Sequence, residues 1–128
     1  MLRSLCTYLV LAFSSVSLFS QAPVLSNMEN TAVSYSEGDG AVSVTSSLTI
    51  VEPNGDNITA ATVLLDALTY DDTEDQLSYT AQYGISGTFD NVTGRLVLTG
   101  DATALQYQTV LRSVTYTNTD GVNPSPFT

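Results

Sequence analysis

The chain has no histidine, no lysine and no tryptophan, one cysteine at Cys6, and three bases in all, Arg3, Arg95 and Arg112. Each absence closes a class of function. Without His or Lys, and with no Cys beyond Cys6, a Ser-His-Asp or Cys-His relay, a Schiff-base lysine and a zinc site built on imidazole or thiolate are ruled out. Carboxylate pairs of the glycosidase kind remain, but no Trp is present to stack on a sugar and a small, thin domain seldom holds a deep cleft. The chain is read as non-catalytic. Thirteen acids oppose the three bases, for a formal charge of −10. Nothing basic enough to replace phosphate counterions exists, so nucleic acid is excluded as a partner, and anionic membrane surfaces are disfavoured.

The first residues read as a leader. Arg3 is the only charge before an apolar run from Leu5 to Phe13, and small and polar residues follow to Ser20 and Gln21, the layout of a secretory signal peptide. The run is too short to span a bilayer, so no membrane insertion of the mature chain is expected; the alternative is an uncleaved N-terminal anchor. Cleavage is expected near Ser20/Gln21, because Pro23 would sit badly directly after the cut. Residues 1–20 are then the signal peptide, and the remainder is enough for one domain with its own core. With Cys6 removed, no disulfide is available.

Thr, Ser, Val, Leu and Tyr dominate the rest, in short alternating runs punctuated by Gly, Asn, Asp and Pro. This is the two-residue period of β-structure. Val33 and Tyr35 form one stripe, interrupted by "EGDG"; Val42 and Val44 resume; Leu48 and Ile50 end at "EPNGDN"; Val63 and Leu65 end at "DDTED"; Leu77, Tyr79, Ala81 and Tyr83 follow. Ile85 and Phe89 precede "DNVTG", which reads as a hairpin turn into Leu96 and Leu98. Val114 and Tyr116 mark a last strand. Long helical crossovers are missing, so the spacing predicts an all-β sandwich, not a parallel sheet.

One helix is predicted inside this β-chain. Thr103 with Gln106 three residues on fits a capping box. A wheel from Ala104 places Ala104, Tyr107, Val110, Leu111 and Val114 on one arc, with Gln106, Gln108, Thr109, Arg112 and Ser113 opposite and Leu105 as the exception. An apolar arc of this kind packs on the core, so the helix is an architectural crossover between two strands.

The stretch "SGTFDNVTGRLVLTGDATALQYQTVLRSVTYTN", with "LTIVEPNGDNITAATVLL" and "APVLSNMENTAVSYSEGDGAVSV" before it, resembles the cadherin-like tandem repeats of large bacterial surface and secreted proteins. The resemblance runs from about Ala22 to the end. It implies an immunoglobulin/cadherin-like β-sandwich over residues 21–118, one unit of a non-catalytic extracellular spacer or adhesion chain, whose partners are following repeats of the same chain and a cell-surface protein or polysaccharide. It also implies one more strand after residues 119–128, which read as a loop toward it. On that view the chain is the first repeat of a longer protein, cut before its final strand, and the edge beside 114–118 is bare. The rival reading is a carbohydrate-binding accessory module of a secreted enzyme, which a row of surface aromatics would favour.

The resemblance further implies calcium between units. Calcium takes six to eight oxygens, and four loops carry acids: Glu37 and Asp39, Glu52 and Asp56, the cluster Asp71, Asp72, Glu74 and Asp75, and Asp120. The family pattern puts Glu37 and Asp101 toward the next repeat, and Glu52 and Asp56 at the opposite pole. No DRE triplet or DxNDN linker is present, and "DDTED" lacks the spacing of an EF-hand loop. Solvated faces are the plainer account of such acids. Asn57-Ile58-Thr59 and Asn91-Val92-Thr93 are glycosylation sequons in a eukaryotic pathway, and turns in a bacterial one. Tyr35, Tyr79 and Tyr116 fall on apolar stripes and are expected in the core, while Tyr70 and Tyr83 are the surface candidates.

Overall fold

The computed structural model describes residues 20–36 and 38–119. All but the last residue of the predicted leader, Glu37, Asp120 and most of the 119–128 loop lie outside them. Along the chain run β1 (Val24–Ser26), β2 (Val42–Ser43), β3 (Thr49–Val51), β4 (Ile58–Leu64), β5 (Asp75–Ser78), β6 (Ser86–Asp90), β7 (Arg95–Ala102), helix α1 (Ala104–Arg112) and β8 (Thr115–Asn118). Among the described residues these strands form three antiparallel sheets, ordered β1-β3, β2-β8-β5 and β4-β7-β6. The fold is an all-β sandwich.

The centre is β7, where alternation buries Leu96 and Leu98 and turns Arg95 and Thr99 outward. β6 reaches it through the predicted hairpin, with Asp90 opposite Arg95. Asp90 makes that turn: its carboxylate accepts from the Val92 N–H at 2.9 Å and the Thr93 hydroxyl at 2.8 Å. Gly94 closes it at φ 67°, where a Cβ would lie 3.1 Å from the Tyr70 ring. Tyr70, expected at the surface, is therefore half-buried over this turn, and its hydroxyl donates to the Asn91 carbonyl. Gly100 is a second obligatory glycine, since a Cβ there would come within 2.6 Å of the Gly84 carbonyl oxygen.

Helix α1 has the predicted capping box: the Thr103 side chain takes the Gln106 N–H, and Gln106 Oε1 takes the Thr103 N–H at 2.9 Å. Tyr107, Val110 and Leu111 are buried in the main apolar cluster with Val114, and Leu105 is exposed. Gln108 departs from expectation, being buried rather than on the outer face. Its Oε1 accepts the Ile50 N–H at 3.0 Å, and Arg112 Nε donates to the Leu48 carbonyl at 2.8 Å. Two side chains of the helix thus pair backbone groups of the Leu48–Ile50 stretch beside the ladder that β3 makes with β1.

Three strand expectations need correction. Residues 32–36 form no strand: Val33 is exposed, while Tyr35 turns inward with its ring edge-on to Tyr116 at 5.0 Å and 85°. The stripe from Leu77 to Tyr83 is a strand only to Ser78, because the Thr80 N–H goes to Ser113 Oγ and Tyr83 adopts φ 57°. The edge beside 114–118 is not bare, since β8 lies between β2 and β5. Where β2 ends, the Tyr35 hydroxyl takes over, donating to the Asn118 carbonyl at 3.4 Å and accepting its N–H at 3.3 Å. β1 was not predicted at all; its residues are all exposed and it pairs with β3 alone among the described residues.

Candidate interaction surfaces

Of the acids proposed as metal ligands, Asp39 and Glu52 fold their own loops. Asp39 Oδ2 accepts the Ser36 N–H at 2.7 Å. Glu52 Oε2 accepts the N–H groups of Asn54 and Asp56 at 2.9 and 2.7 Å, closing the "EPNGD" turn around Gly55. Asp66 takes the Leu68 N–H at 3.0 Å, and Asp71 takes the N–H and hydroxyl of Thr73 at 2.9 and 2.6 Å. Apart from Asp39, which reaches back three residues, the repeated geometry is an acid accepting from a backbone N–H two residues on. For Glu52, Asp66 and Asp71 that signal was in the sequence, in the placing of the acid at the start of a turn.

Asp56 and Asp101 are exposed. The register Ile58 opposite Ala102 puts them at the same end of the β4–β7 pair, not at opposite poles. Glu37 lies outside the described residues. Among the described residues no three His, Cys, Asp or Glu are grouped so as to hold a metal ion. The "DDTED" loop borders a small hollow of about 170 Å³ with Phe89, Asn91 and Thr119. Asp75 within it is buried: Oδ1 accepts from the Tyr116 hydroxyl at 2.5 Å and from Asn118 Nδ2 at 3.1 Å, and Oδ2 from the Asp71 N–H at 2.9 Å. Burial, with Asp75 alongside, holds the Tyr116 phenol well above its usual range. This is a packed network between β5 and β8.

Glu29 was not singled out from sequence, yet its carboxylate accepts four hydrogen bonds. Its carboxylate accepts from Thr45 Oγ1 at 2.6 Å, the Ser46 and Ser47 N–H groups at 2.7 and 3.0 Å, and Ser46 Oγ at 3.1 Å. The Thr45 hydroxyl, then the backbone donors, hold its carboxyl far below the ordinary range. The clasp ties the segment after β1 to the turn before β3.

An apolar groove of about 530 Å³ opens beside that clasp. Pro23, Leu25 and Met28 line one side, β4 the other, and Leu48, Tyr107, Leu111 and Val114 lie deeper. The tyrosines form no surface row: the hydroxyls of Tyr35, Tyr79 and Tyr107 bond to the backbone at Asn118, Gly87 and Gly100, and Tyr83 is exposed. Asn57 and Asn91 of the two sequons are exposed, one just before β4 and one in the β6–β7 hairpin. No helix among the described residues is long and apolar enough to cross a membrane.

Comparison with known proteins adds one likeness. The chain is similar to halomucin of Haloquadratum walsbyi (strain DSM 16790 / HBSQ001), 39% identical over 88 residues. Those residues are 65% of this chain but 1% of halomucin, so the chain spans a very small part of that protein's length. No family model matches, and no solved structure matches.

Proposed function

We propose that the chain is a non-catalytic β-sandwich unit of a surface or secreted protein, serving as a spacer that carries other units or contacts a partner. The observation that carries this is the likeness to a short stretch of a far longer, mucin-named protein. A unit alike to about a hundredth of such a chain fits a modular element better than a self-contained enzyme. The absence of His and Lys and the use of the acids in turns and internal bonds support the same reading. The cadherin-like type is part of the proposal, resting on the sequence resemblance.

Calcium enters this reading only at a junction. Asp56 and Asp101, exposed at one end of the β4–β7 pair, would contribute carboxylates to an ion whose other oxygens come from an adjoining unit. The inward tyrosines give no support to the carbohydrate-binding alternative.

The deciding experiment is localisation. An antibody raised against the folded chain is expected to label intact cells or the culture medium; label that appears only after lysis overturns the proposal. For the calcium element, the melting temperature of the chain joined to its neighbouring unit is expected to rise with millimolar calcium, and that of the unit alone to stay unchanged. No rise in the joined form removes calcium from the account.

A further inference from the structure

We propose that the groove beside β4 is a self-association surface, in which β4 of a second copy of this chain pairs antiparallel with β4 of the first. β4 spans seven residues and, among the described residues, pairs only with β7. Its consecutive residues from Ala60 to Leu64 all border the groove. Side chains of a strand alternate between faces, so an unbroken run can border a groove only along the strand's edge. The groove therefore has a row of backbone donors and acceptors as one wall and the apolar side chains of Pro23, Leu25 and Met28 as the other.

Charge selects the occupant. No residue lining the groove is charged, although the chain carries thirteen acids. A charged segment would lose its hydration there without a counter-charge, and a sugar would find few polar partners beyond Thr45 and Thr62. An uncharged extended strand meets both walls, with ladder bonds to β4 and alternate small apolar side chains toward the groove.

β4 has that composition itself. The whole span between Asp56 and Asp66 is free of charge and proline, lacking the devices that normally blunt an edge. The other edge strands differ: β5 and β6 contain Asp75 and Asp90, and β1, β2 and β3 are only three, two and three residues long. Antiparallel pairing about a two-fold axis is self-complementary, so each copy covers the edge the other leaves open. The product is a continuous sheet running β6-β7-β4 through the two-fold axis into β4-β7-β6 of the second copy. Asp56 and Asp66 bracket the contact and confine it to β4.

Sedimentation of the full chain between about 1 μM and 1 mM tests this. The expected result is a monomer–dimer equilibrium that tightens from low to high salt, because two like-charged chains repel less when screened. Thr62→Lys, at an exposed position on the groove, is expected to weaken association at least about tenfold by placing like charges near the axis, with an unchanged circular dichroism melt. If that variant melts differently, Ala60→Lys takes its place. A monomer at every concentration overturns the proposal, as does a dimer indifferent to both substitutions. So does a monomer that instead captures a neutral extended peptide, which would give the groove to a foreign strand.

Discussion

From Ile85 to Val114 the chain buries Ile85, Leu96, Leu98, Tyr107, Val110 and Val114 to 1 % exposure or less, whereas from Val24 to Val33 every residue is exposed. The first region is held by apolar burial, which is cooperative and needs no individual bond. The second is held by directional polar bonds: the Glu29 clasp, Asn27 to Thr49, Ser47 to the Asn27 carbonyl, and a three-residue ladder. Exposed bonds of this kind each contribute little net stability, so the N-terminal strap is expected to open well below the free energy of global unfolding. The difference teaches that one small sandwich contains a firm half and a detachable one.

The sharpest way to break that comparison is paired truncation. Leu98→Ala, at 0 % exposure in the centre of β7, is expected to cost about 2–5 kcal/mol in urea unfolding, while Leu25→Ala in β1, 54 % exposed, should cost less than about 1 kcal/mol. Equal losses would mean that the strap belongs to the cooperative core. Next in size is the link between the halves. Gln108→Ala leaves the Ile50 N–H without its acceptor and is expected to cost about 1–3 kcal/mol, with faster amide exchange at Ile50 as the local readout.

A smaller effect falls on the helix start. Thr103→Ala removes the side-chain half of the capping box and is expected to cost about 1 kcal/mol; Thr103→Asn, which keeps an acceptor, should restore most of it. The smallest concerns Glu29 and depends on pH. Its folded carboxyl titrates below the usual value of 4.5, so it binds protons less readily folded than unfolded. Its stabilisation is thus present above about pH 4.5 and is lost as pH falls below that toward the folded value. Hydrogen exchange at the Ser46 and Ser47 amides is expected to show the loss in the wild type and a flat response in Glu29→Gln. A wild type equally flat would remove the clasp from the comparison.

What the sequence revealed follows the same division. The β6–β7 hairpin and the capped helix were legible because their signals are local: "DNVTG" contains its own turn acceptor and glycine, and Thr103 and Gln106 are one turn apart. The strap was illegible because β1 has meaning only against β3, some twenty-five residues away. Tyr35 was placed in the core correctly and in a strand wrongly, since alternation reports a face and says nothing about a free partner edge. Gln108 was assigned outward from polarity alone, although a buried amide is stable wherever a backbone donor needs it. The bonds that Asp39 and Glu52 make to their own loops were not read, because composition shows charge but not the N–H groups that hold it. The groove had no signal at all, being a gap between segments remote in sequence.

The scarcity of bases has a consequence for how long such a chain would last among peptidases. A trypsin-like enzyme cuts after Arg or Lys, and among the described residues only Arg95 and Arg112 qualify. Arg95 is paired on both sides, to Leu64 of β4 and Asp90 of β6. Arg112 ends the helix with its side chain fastened to the Leu48 carbonyl. Neither peptide bond can enter a protease cleft while the firm half stays closed, and loss of the strap frees neither. Digestion of the described residues by such an enzyme would therefore proceed at the pace of opening of the core itself, which makes the sandwich durable against one whole class of secreted peptidase.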